Sequence, residues 1–175
     1  FAYSQPLKYP EPAQLAAGVS AITVPDIRWL RCDIKAIALL PNVLMRQQAT
    51  EQGAAEAILL RAGLMTEGSA SNIFVVLKGT LVTPPKGPFI LPGVTRDLTL
   101  ELARAHGLAC EERAVTESEL RGAEELMLSS STKELLPITR LDGKPVGSGR
   151  PGPLHARLHA LYQDYIRDFR AGNVE

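Results

Sequence analysis

The amino-acid sequence predicts an α+β fold: a mixed, largely antiparallel sheet with surrounding helices. Short apolar runs of strand character outnumber runs at helical spacing. Several of those runs are separated only by turns, which suits antiparallel neighbours better than a doubly wound parallel sheet. The length, 175 residues, allows one domain with a sizeable core and is short for two.

The elements follow in order. The opening FAYSQPLKYPEPAQLAAG, residues 1–18, carries Pro6, Pro10 and Pro12 and reads as an interdomain linker, with the folded domain spanning residues 19–175. VSAITV is a first strand and RWLRCDIK, residues 28–35, a second. Leu39, Leu40, Val43, Leu44 and Gln47 fall at helical spacing, and Gly53 stands where that helix would stop. AEAILL is a strand, and NIFVVLKGTLVTPP is a hairpin turning at Lys78-Gly79. Pro92-Gly93 opens a helix whose Leu98, Leu102 and Ala105 share a side, with Gly107 closing it. LACEERAVT is a strand, ESELRGA a short helix, and ELMLSS and LLPITRLDGKPV are further strands. Leu154, Leu158, Leu161, Tyr165, Ile166 and Phe169 draw an apolar stripe along a final helix.

The composition is that of an ordinary globular protein, 45% hydrophobic and 22% charged, so it argues against disorder. Nineteen basic residues balance nineteen acidic ones, which gives no global field for nucleic acid or an anionic membrane. Any anion site must therefore be local. Cys32 and Cys110 make no disulfide framework, and together with three scattered histidines they give no metal-ligand spacing; a cytoplasmic setting is expected. No apolar run approaches the length of a membrane span, and no signal peptide opens the chain.

Four short stretches carry possible chemistry. If Trp29 to Lys35 is extended, alternation puts Leu30, Cys32 and Ile34 on one face and Arg31, Asp33 and Lys35 on the other. Lys35 then ends a polar row on an element whose opposite side is core, where an amine can be held in place. Next comes TEGSASN, residues 66–72, in which Glu67 follows an apolar strand; by itself it is an ordinary turn. In LPGVTRD, residues 91–97, Gly93 lets backbone approach a ligand, and the first-turn amides with the Thr95 hydroxyl describe a phosphate seat or simply a helix start. The last is SSSTKE, residues 129–134, which offers hydroxyls that cap, turn or donate to an anion.

In this order, DIRWLRCDIK, EGSASN, LPGVTRD and SSSTKE resemble the large domain of the D-amino acid aminotransferases. These belong to the fold-type IV pyridoxal-phosphate enzymes, with branched-chain aminotransferases and aminodeoxychorismate lyase. The likeness runs from about Val19 to the final helix. It implies the pseudo-barrel-like sheet of that cofactor-binding domain. It also implies that Lys35 forms the Schiff base with pyridoxal 5'-phosphate and shuttles a proton, Arg31 being one candidate for lowering its pKa. By the same resemblance Glu67 faces the pyridine nitrogen and Leu91 packs near the ring. Gly93, Val94 and Thr95 hold the phosphate at a helix start, and Ser130 and Ser131 stand where the family tends to place a threonine for the same purpose.

The implied activity is transamination between D-amino acids and 2-oxo acids in a homodimer, with RWLRCDIK favouring the D-specific branch. A branched-chain L-aminotransferase, aminodeoxychorismate lyase and a non-catalytic cofactor-binding fragment are the alternatives. The family's smaller N-terminal domain has no counterpart in residues 1–18, so a fragment of a longer enzyme is expected.

Overall fold

A computed structural model describes residues 2–4, 6 and 9–173, and in it ten strands form one sheet curled into a half-barrel. At its centre β1 (Val19–Pro25) lies parallel to both neighbours, β2 (Glu56–Arg61) and β9 (Glu134–Leu141). Beyond β2 the order continues through β3 (Leu64–Gly68) to β7 (Val115–Thr116). Beyond β9 come β8 (Glu125–Ser130), β4 (Asn72–Leu77), β5 (Thr80–Thr83) and β6 (Cys110–Glu112). A short β10 (Lys144–Pro145) also pairs with β9, and apart from β1 with its neighbours only β5 and β6 run parallel among the described residues. The expected α+β class, with a mixed and largely antiparallel sheet, is the one observed.

Three hairpins turn on the same chemistry. Ala62-Gly63, Lys78-Gly79 and Asp142-Gly143 all take positive φ at both residues, the conformation whose twist matches that of two-residue hairpins. Glycine supplies half of each turn without steric cost.

Among the described residues five helices cover the sheet: α1 (Pro12–Ala17), α2 (Leu40–Glu51), α3 (Val94–Ala105), α4 (Glu117–Arg121) and α5 (Pro153–Arg170). Alternate strand residues feed different cores. Ile73 and Val75 join Leu126, Leu128, Ile138 and the α4 residue Leu120 on one face. Phe74, Val76 and Met127 face the other way, against Leu100 and Ala103 of α3 and Leu158 and Tyr162 of α5. Ile22, Val24 and Leu59 pack beneath Met45 and Ala49 of α2. Because both faces are covered, NIFVVL reads as an unbroken apolar run.

Three sequence expectations need correction, while α2 forms where its spacing predicts a helix. RWLRCDIK is not a strand: Pro25 ends β1, and residues 26–39 run as an irregular loop. That loop is held by side chains instead of a ladder, with Arg61 donating to the carbonyls of Arg28 and Trp29 at 2.9 and 3.3 Å. The Leu39, Leu40, Val43, Leu44 stripe of α2 is exposed, and Met45 and Ala49 bury the helix. LACEERAVT splits into β6 and β7, which pair with different strands, β5 and β3. The buried seam of α5 is His155, Leu158 and Tyr162, flanked by Leu154 and Ile166, while Phe169 stacks on Tyr165 at the exposed end. In the proline-rich lead, residues 1, 5, 7 and 8 lie outside the described residues; Pro12–Ala17 is helical and docked, Thr139 donating to the Ala17 carbonyl at 3.0 Å.

Candidate active site

One open cavity of about 820 Å³ lies between the β1–α2 loop, the turn after β3, the start of α3 and the end of β8. Lys35, Glu67, Leu91, Gly93, Val94, Thr95, Ser130 and Ser131 all line it. The four sequence stretches, separated by up to about a hundred residues, thus converge on one space.

Lys35 sits on the irregular loop as an exposed amine at the cavity wall. The polar row expected beside it does not exist. Arg31 turns away into an exposed ion pair with Asp33 at 2.9 Å and is not part of the cavity lining, and its guanidinium is taken up by that pair.

Glu67 is the penultimate residue of β3 rather than part of the following turn, and it is buried. One carboxylate oxygen receives a hydrogen bond from Arg28. The other accepts from Asn72 Nδ2 and from the Leu91 amide, both at 3.0 Å. Burial pushes the Glu67 carboxyl up to about 7, against Arg28 and the Leu91 amide, which favour the carboxylate.

Arg28 is itself gripped by Asp26, Nε on Oδ1 and Nη2 on Oδ2, both at 2.9 Å, and it donates to the Phe89 carbonyl at 3.0 Å. Burial alone would raise the Asp26 carboxyl, but Arg28 and Arg61 bring it down to about 2. The result is a buried cation between two carboxylates, with the guanidinium fork setting the direction of both.

Asn72 ties this charge to the helix start. Its Nδ2 also donates to the Leu91 carbonyl at 2.9 Å, and its Oδ1 accepts from the Gly93 amide at 3.2 Å. A Cβ on Gly93 would stand 2.5 Å from Asn72 Oδ1. Gly93 therefore permits the approach through its small size, its φ of −73° being open to any residue. The first intrahelical acceptor, Gly93 O, is used by the Asp97 amide, which leaves the amides of Val94 and Thr95 outside the helical ladder. The Thr95 side chain is buried and meets Tyr162.

At the end of β8, Ser130 Oγ accepts from the Lys133 amide at 3.1 Å and shapes the serine turn. Ser129 was not singled out, yet its buried Oγ borders the cavity without a hydrogen-bond partner among the described residues. Sequence reasoning also missed Arg28 and Asn72. Arg28 sits in the quoted DIR run, two residues after a carboxylate that can grip it, and Asn72 ends TEGSASN. Neither signal says which partner lies across the fold.

The sequence description "Amino-transferase class IV" matches residues 1–141. The chain belongs to the class IV aminotransferases. It is 47% identical over 173 residues to the D-alanine aminotransferase of Bacillus licheniformis, covering 99% of this chain and 61% of that protein. It is 43% identical over 153 residues to the D-alanine aminotransferase of Listeria innocua, covering 87% of this chain and 53% of that one. This class IV aminotransferase chain thus spans between half and two thirds of the length of the curated relatives it matches. Among solved structures it is similar to a putative branched-chain amino acid aminotransferase of Thermotoga maritima, with a TM-score of 0.82 and 29% identity over 94% of this chain and 60% of that one. The branched-chain amino acid aminotransferase of Thermobaculum terrenum in its PLP-form gives a TM-score of 0.81 and 34% identity over 92% and 56%.

Proposed function

We propose that this chain is the cofactor-binding domain of a pyridoxal 5'-phosphate-dependent aminotransferase that exchanges amino groups between D-amino acids and 2-oxo acids. The observation that carries this is the convergence of Lys35, Glu67, the first turn of α3 and the Ser129–Ser131 run on one cavity. The residues present fit the cofactor. Ser129 Oγ is a buried hydroxyl without a hydrogen-bond partner among the described residues, and it lines the same cavity as the helix-start residues Val94 and Thr95, whose amides lie outside the ladder; together these suit a phosphate group.

Bound there, pyridoxal phosphate supplies an aldehyde that takes up the amino group and a ring that accepts electron density from the substrate α-carbon. Lys35 Nζ, an exposed amine at the cavity wall, would be the group that holds the cofactor's aldehyde and that takes and returns the substrate α-proton. Glu67, its two oxygens fixed by Arg28 and Asn72, would be the carboxylate that keeps a proton on the ring nitrogen. Val94, Thr95, Ser130 and Ser131 would hold the phosphate, and Leu91 would pack near the ring. The amino group leaves the donor in a first half-reaction and passes to the acceptor in a second.

D-amino acids are preferred over L because of the D-alanine aminotransferases at 47% and 43% identity. The branched-chain L-aminotransferase is the second reading, favoured by the solved structures at 29% and 34% identity. A smaller second domain and a homodimer belong to the same proposal, supported by relatives of greater length and by the apolar rim at Ile37, Leu40 and Val43. The cytoplasm is the compartment proposed, consistent with two free cysteines. Assay of the complete enzyme with D-alanine and with L-leucine as amino donor separates the two substrate readings. Turnover of D-alanine is expected; preference for L-leucine would overturn it. A protein that binds cofactor yet turns over neither donor would be a non-catalytic domain.

A further inference from the structure

Glu56 has no part in the chemistry above, yet it is a fully buried carboxylate at the start of β2. Its Oε1 accepts from Ser69 Oγ and from the Ala57 amide, and its Oε2 accepts from Ser71 Oγ at 2.8 Å. Two cations approach as well, Arg46 of α2 at 3.3 Å and Lys133 of the serine turn at 3.8 Å. A buried charge is costly unless it is paired and hydrogen-bonded, and here three donors and two cations meet that cost.

What the four side-chain partners, Ser69, Ser71, Arg46 and Lys133, have in common is their location. Ser69 and Ser71 belong to the turn that joins Glu67 to Asn72, and both line the cavity. Lys133 follows Ser130 and Ser131, and its amide is held by Ser130 Oγ. Arg46 lies on the helix that follows the Lys35 loop, one turn after Asn42, whose Nδ2 donates to the Ser69 carbonyl at 2.8 Å. Three walls of the cavity therefore rest on one acid from beneath.

The turn gains its shape from this support. Ser69 donates its amide to the Ala57 carbonyl at 2.9 Å, and the Gly68 amide donates to the Ser71 carbonyl at 2.7 Å. A Cβ on Gly68 would fall 2.3 Å from Ser71 Oγ and 3.2 Å from Glu56 Cδ, so the glycine is required by the same arrangement. The turn's two ends, Glu67 and Asn72, are then bonded to each other at 3.0 Å.

From this geometry we infer that Glu56 is a positioning residue: it sets the Gly68–Asn72 turn, and through it the direction of the Glu67 carboxylate, while bracing the serine turn at the other end of the cavity. The inference rests on the reading that the cavity holds pyridoxal phosphate with Glu67 facing its ring nitrogen. Glu56→Gln keeps the shape but removes the charge, and the double variant Ser69→Ala, Ser71→Ala removes the turn's hydroxyls while leaving Glu56 beside Arg46 and Lys133. Both are loaded with pyridoxal phosphate in the complete enzyme and compared with the unchanged protein by visible absorbance against pH and by steady-state kinetics.

Each variant is expected to move the midpoint of the absorbance titration and to lower kcat roughly 10- to 100-fold with little change in KM, as a displaced reacting group does. Should Glu56→Gln fail to fold, the serine variant carries the same readouts. If the unchanged protein acquires the cofactor band but both variants match it in midpoint and kcat, Glu56 is only a structural acid and the inference is wrong. If the unchanged protein acquires no band, the cofactor reading itself falls and the positioning role with it.

Discussion

At Glu67 two effects compete: burial favours the neutral acid, and Arg28, Asn72 and the Leu91 amide favour the charge. Burial prevails, so the carboxyl rises from its ordinary 4.5 to about 7. A group raised in this way contributes stability in full below its unfolded value and loses it as pH climbs through the folded one. Between pH 4.5 and 7 the cofactor-free protein is therefore expected to lose on the order of 3 kcal/mol from this group. Urea denaturation across that range checks it, and Glu67→Gln should flatten the slope. Asp26 acts with the opposite sign in a different window, its contribution being present above 3.8 and lost as pH falls toward 2. Removing the shared cation is predicted to be severe: above pH 7, where Asp26 and Glu67 are both charged, Arg28→Met strands two buried carboxylates and should cost about 3–5 kcal/mol by the same denaturation. In the loaded enzyme, Glu67→Gln should lower kcat by about 100-fold or more while cofactor affinity falls far less, since the carboxylate serves the ring nitrogen and the phosphate is held elsewhere.

Among the elements, α3 delivers its first turn to the cavity because Asn72 accepts from Gly93 and because Arg96, fully buried, binds the Pro84 carbonyl at 2.8 Å and Glu112 at 2.7 Å. Gly93→Ala drives a methyl group into Asn72. Equilibrium titration with pyridoxal phosphate should show at least a roughly tenfold weaker affinity, with the melting temperature of the cofactor-free protein little changed. This helix start was legible in LPGVTRD because Pro, Gly and a following amphipathic run are local signals. The loop before α2 was not. RWLRCDIK alternates as a strand would, but its order comes from Asp26, Arg61 and Glu67, partners that lie close only after folding. The same holds for α2, whose spacing revealed a helix correctly while its longest apolar row faces outward.

Over the whole molecule, the residues that local patterns could not place gather on one side. Ile34, Ile37 and Val43 line the cavity and are exposed, Ile37 at 99%, and Leu40 and Leu44 of α2 are exposed as well. Such a row is what a partner surface would cover. Sedimentation of the complete enzyme is expected to report a dimer, and the double change Ile37→Glu, Leu40→Glu to shift it toward single chains; a sedimentation coefficient unaffected by both charges would place the interface elsewhere. The fold's strands and turns were readable because period-two and glycine signals are local. The site's roles came from resemblance, and its buried supports, Arg28, Asn72 and Ser129, emerge only from the assembled sheet. Above all, Lys35 is expected to carry the cofactor. Reduction of the loaded enzyme with borohydride, followed by peptide mass analysis, checks this at the residue itself. A phosphopyridoxyl group on the peptide containing Lys35, absent from Lys35→Ala, is the predicted result; equal labelling of Lys35→Ala would contradict it.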